Sequence, residues 1–112
     1  MKYESVEPHD RAALLELLAD SDPMVVAEAL YSATYHDADW KWVQGLCLQF
    51  LKSEHVPIRW AAATCLGNLA TFHKQLDLDL VLPALHEASC DTAIRAPAED
   101  SLADVKQFVR MQ

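Results

Sequence analysis

The sequence predicts an all-α fold, a short α-solenoid of five to six helices, and three observations carry that reading. Glycine occurs twice in 112 residues, while 52% of the residues are hydrophobic with alanine and leucine abundant, which disfavours an all-β chain. Apolar residues recur at helical spacing in successive segments, several of them opened by proline. Parts of those segments also match one another when the chain is shifted along itself, which marks a repeat.

The segments follow in order. Residues 8–19 place Pro8 at a first helical position and leucines at 14, 15, 17 and 18. The next begins at Asp22, a helix cap, with Pro23 at the first position. From Asp39, apolar residues at 40, 43, 46, 47, 50 and 51 describe one helix face. Residues 56–72 form another helix with Pro57 near its start, and 79–89 a shorter one that admits Pro83 in its first turn. The last runs to Val109 on a stripe of Ile94, Ala98, Leu102, Val105 and Val109.

Shifting 58–69 by 36 residues pairs Ile58 with Ile94, Arg59 with Arg95, Ala62 with Ala98, Leu66 with Leu102 and Leu69 with Val105. A shift of 33 the other way pairs Val25 with Ile58 and Ala29 with Ala62. Two helices per unit at a period in the mid-thirties is the pattern of stacked helical repeats. The stretches DPMVVAEAL, VPIRWAAATCLGNLA and DTAIRAPAEDSLADV resemble HEAT repeats, whose first helix opens Asp-Pro-x-Val-Arg and continues Ala-Ala-x-x-Leu-Gly-x-Leu. Arg59, Ala62, Ala63, Leu66, Gly67 and Leu69 match this best. The first unit has Val26 where arginine is expected; the third has Thr92 for the proline and Pro97 within the helix, which implies a kink or a late start. The resemblance implies one domain over 1–112: a capping helix at 1–20, repeats at 21–54 and 55–90, and a half-repeat at 91–112.

Seventeen acids against nine Lys plus Arg give a formal charge of −8. That balance repels nucleic acid and anionic lipid and attracts basic proteins, or serves solubility. The uncharged run from Trp60 to Phe72 is too short to span a bilayer, and the first ten residues lack the apolar segment of a signal peptide, so a cytoplasmic protein is expected. Cys47, Cys65 and Cys90 have no metal-binding spacing and are expected to be buried and reduced.

The most chemical-looking string is His36-Asp37-Ala38-Asp39-Trp40, echoed by His73 ahead of Asp77-x-Asp79. Both fall in turns between paired helices, where Asp39 and Asp79 are expected to cap the following helix while Asp37 and Asp77 stay free. Packed helices lie about 8–10 Å apart, so acids on successive turns do not converge on one ion, and no metal or cofactor is expected. Trp40 and Trp42 point apart on a helix, one toward the core and one half-exposed, with burial of both as the alternative; Trp60 is expected to pack against a neighbouring unit. No phosphate loop, nucleophile elbow or His-Glu-x-x-His occurs, and the adjacent Glu54-His55 and His86-Glu87 pairs diverge on a helix. Enzyme activity is therefore not expected.

The expected role is that of a protein-binding module presenting Asp37, Asp39, Trp40, Lys41, Gln44, Asp77 and Asp79 to a basic protein partner, with no nucleic acid or membrane. Small stand-alone bacterial chains that resemble HEAT repeats are in some cases similar to immunity proteins of contact-dependent inhibition and other polymorphic toxin systems. That resemblance implies neutralisation of a cognate toxin by stoichiometric binding. A scaffolding adaptor is the second reading. A HEAT-like lyase or DNA glycosylase is the third, and the glycosylase would need a basic face that nine dispersed Lys and Arg do not supply.

Overall fold

A run of capped, proline-opened helices needs only short links to fold back on itself, and that is the architecture of the computed structural model, which describes residues 10–109. Six helices follow one another among the described residues: α1 (Arg11–Leu18), α2 (Pro23–His36), α3 (Trp40–Phe50), α4 (Val56–His73), α5 (Leu78–Ala88) and α6 (Arg95–Phe108). There is no strand among the described residues.

Local chemistry sets the boundaries. The Asp10 carboxylate accepts from the Ala13 amide and so starts α1 at Arg11; Pro8, expected at the first helical position, lies outside the described residues. Asp22 accepts from Met24 N at 2.9 Å with Pro23 at the first position of α2, as expected. Asp39 does the same for α3 through Trp42 N. Pro83 departs from expectation. Because α5 begins at Leu78, it sits beyond the first turn, and the Asp79 carbonyl that loses its donor belongs to an exposed residue open to water. Of the two outcomes Pro97 allowed, the late start is the one found: residues 91–94 are turn, and α6 begins at Arg95 with Pro97 in its first turn, where its missing N–H removes no helical bond.

Helix α4 is the centre of the packing. It lies between α2 and α6 in one layer, while α3 packs on both α2 and α4, α5 on both α6 and α4, and α1 on α2. Ala61, Ala62, Ala63, Leu66, Leu69 and Ala70 are buried along it; small side chains let the neighbouring helices approach closely.

The 36-residue self-match has a structural counterpart. Ile58 and Ile94, Ala62 and Ala98, Leu66 and Leu102, and Leu69 and Val105 are all buried. Arg59 Nη1 donates to the Ser53 carbonyl at 2.9 Å, and Arg95 Nε donates to the Ser89 carbonyl at 3.0 Å, so the paired arginines brace the paired turns. Cys47 and Cys65 are buried, and Cys65 as a hydrogen-bonding neighbour, together with burial, pushes the Cys47 thiol well up. Cys90, expected to be buried, is exposed, because it sits past the end of α5 in the turn to α6.

Candidate functional site

The turn between α2 and α3 holds the acids singled out in the sequence, and its geometry turns on a residue the sequence reading passed over. Arg11, on α1, reaches Asp37 through Nε at 3.2 Å and Nη2 at 3.3 Å, and Asp39 through Nη2 at 3.0 Å. Its guanidinium carbon lies 4.2 Å from the centre of the Trp42 ring, a cation–π contact. Asp37 also accepts from the Asp39 amide at 2.8 Å. Asp37, expected to be free, is thus the most engaged acid of the turn. The hydrogen-bonded Arg11 holds the Asp37 carboxyl below its ordinary range, and Arg11 together with the Trp42 amide does the same for Asp39.

The sign of the pH dependence follows. Groups whose titration is depressed by folding stabilise the fold above the ordinary carboxylate range, and that contribution is lost as pH falls through their lowered values. An Arg11→Gln variant should therefore show a stability deficit that is constant near neutral pH and shrinks in acid. A pH series of urea melts checks this, and an undiminished deficit at pH 3 would contradict the clamp.

The second turn is not a copy of the first. Asp77, not Asp79, occupies the cap position of α5, and its side chain makes no cap bond. Gln44 of α3 instead fastens the cap residue itself: its Oε1 accepts from the Asp77 amide at 2.7 Å while its Nε2 donates to the Asp77 carboxylate at 2.9 Å. Lys41 Nζ lies 3.8 Å from the same carboxylate. Gln44 is consequently buried rather than presented to solvent. Asp79 lies exposed in the first turn of α5. Trp40 and Trp42 are both half-buried against the core, each beside a cation, with Lys41 Nζ 5.7 Å from the Trp40 ring centre. Of the seven residues assigned to this surface, Asp37, Asp39, Gln44 and Asp77 are therefore spent largely on internal bonds. No group of three or more metal-ligating side chains gathers among the described residues.

A different face carries exposed aromatic surface. Trp60, expected to pack against a neighbouring unit, stays 43% exposed on α4, and across from it on α2 Met24 and Tyr35 are 47% and 49% exposed. These three, with Ala27, Tyr31 and Pro57, line a groove of about 410 Å³. The Tyr35 and Phe72 rings meet at 5.5 Å between centroids. On the other side of Trp60 a second groove, of about 270 Å³, runs between α4 and α6 and is lined by Thr64, Asn68, Asp100 and Asp104. Spacing of three and four residues along α2 (Met24, Ala27, Tyr31, Tyr35) was the available signal for this stripe.

No helix is long and apolar enough to cross a membrane among the described residues. No family model matches the chain, and no curated protein matches it. Among solved structures it is similar to a chain in the crystal structure of a CDI complex from Cupriavidus taiwanensis LMG 19424, with 29% identity and a TM-score of 0.85. The match covers 99% of each chain, so the likeness to a chain of that complex runs from one end of the helical array to the other.

Proposed function

We propose that this chain is an immunity protein that neutralises a cognate bacterial toxin by stoichiometric binding, acting in the cytoplasm and without catalysis of its own. The observation that carries the reading is the end-to-end similarity to a chain of a CDI complex. The same role is the one implied by the sequence's resemblance to small stand-alone HEAT-repeat chains. The charge of −8 suits a chain that covers a basic partner: opposite potentials steer encounter, and like charge keeps nucleic acid and anionic lipid away.

The test is protection. Where the gene lies beside one for a large exported protein, the C-terminal domain of that protein should arrest growth when expressed by itself. Co-expression of this chain should restore growth, and the two should co-purify at equal stoichiometry. Growth arrest that persists at equal expression, with no complex on gel filtration, would refute the proposal.

A further inference from the structure

We infer that the partner is held on the outer face of α2, α4 and α6, with Trp60 as the central anchor, an apolar side chain of the partner in the Met24–Tyr35 groove and a Lys or Arg side chain in the Asp100–Asp104 groove. This rests on the reading of the chain as a toxin-binding protein and names the surface and the chemistry it recognises.

Three observations converge on this face. First, exposed large apolar side chains concentrate there: among the described residues, Met24, Tyr35, Val56, Trp60 and Phe72 are on α2 and α4, against Leu15 and Leu80 elsewhere. Exposed aromatic residues beside a groove are the usual anchors of protein interfaces. Second, the two grooves share Trp60 as their common wall, so one partner segment can fill both. Third, the charge is unspent. Neither Asp100 nor Asp104 has an ion-pair partner among the described residues, whereas Asp37, Asp39 and Asp77 have theirs. Among the described residues, no Lys or Arg lines either groove. A second copy of this acidic chain would bring like charges together, so a basic protein is the occupant the face fits. The larger groove between α3 and α5 differs: Lys52, Glu87 and Asp91 line it with mixed charge, and none of the described residues lining it is aromatic.

The experiment uses the full chain and, as probe, a catalytically inactivated C-terminal domain of the neighbouring exported protein, followed by surface plasmon resonance. Trp60→Ala should weaken binding at least about 30-fold, mostly through dissociation. The double variant Asp100→Lys/Asp104→Lys should slow association about tenfold at low salt, with the gap closing as ionic strength rises. Asp79→Lys and Leu80→Ala, both on α5, should bind like wild type. Melting curves of each variant confirm that it is folded. If wild type binds and Trp60→Ala binds within about twofold of it, the surface is wrong while the toxin-binding reading stands. If folded wild type does not bind the probe, both fall together. A sedimenting dimer of this chain that Trp60→Ala dissociates would overturn the inference in favour of self-association.

Discussion

Leu66→Ala is expected to cost about 2–5 kcal/mol of folding stability, the range for a large-to-small change that leaves a cavity in a packed core. Leu66 is fully buried on α4, and α4 is the helix against which α2, α3, α5 and α6 all pack. A neighbour pinned by several other contacts cannot move far to refill the hole. Alanine preserves helix propensity, so the loss reports packing rather than helix formation. Domains of this size are stable by only about 5–15 kcal/mol, so a large share of the total is at stake. Urea unfolding followed by circular dichroism measures it, with Leu80→Ala as reference. Leu80 is 54% exposed, and its truncation should change stability by no more than about 0.5 kcal/mol. A Leu66→Ala loss below about 1 kcal/mol would mean that the α4 register is misplaced.

That the core position could be named from sequence reflects where its information lies. Leu66 and Leu102 repeat at a fixed spacing on alanine-rich helices, and a periodic stripe is a local property of the chain. Helix starts at Asp22 and Asp39 were legible for the same reason: a cap acts within three residues of itself. The α4 stripe was harder to orient. Trp60 precedes a run of alanines, apolar almost all round the helix, so no face stood out as the exposed one.

The site was less legible because its bonds are long-range. Arg11 lies 26 residues from Asp37, and Gln44 lies 33 from Asp77, distances at which no spacing rule operates. The echo between the two Asp-x-Asp strings was also misleading in register. Helix α4 ends at His73, and four residues, 74–77, lead to α5; only three, 37–39, lead from α2 to α3. Asp77 therefore falls where Asp39 does, at the cap, and Asp79 moves inside the helix. Asp77 at the cap then meets Gln44, which could not be read from either segment by itself.

The two glycines of the chain should respond to substitution with opposite signs. Both are inside helices, where glycine costs about 0.5–1 kcal/mol relative to alanine. At Gly45 an added Cβ meets nothing within 4 Å, so Gly45→Ala should raise stability by about that amount. At Gly67 the same carbon would lie 2.5 Å from Ser101 Oγ and 3.0 Å from Ser101 Cα. The hydroxyl is not free to swing aside without loss, since it donates to the Ala63 carbonyl at 2.6 Å in a buried contact. Ser101 Cα is backbone, so relieving the clash means lifting α6 off α4. Gly67→Val adds two further carbons, and its overpacking cost, about 1–3 kcal/mol and toward the upper end here, outweighs the few tenths gained in helix propensity. Thermal melts should place Gly45→Ala above wild type and Gly67→Val well below it, by roughly 4–8 °C for each kcal/mol in a domain of this size. A Gly67→Val protein as stable as wild type would show that α6 is not seated on α4 at Ser101.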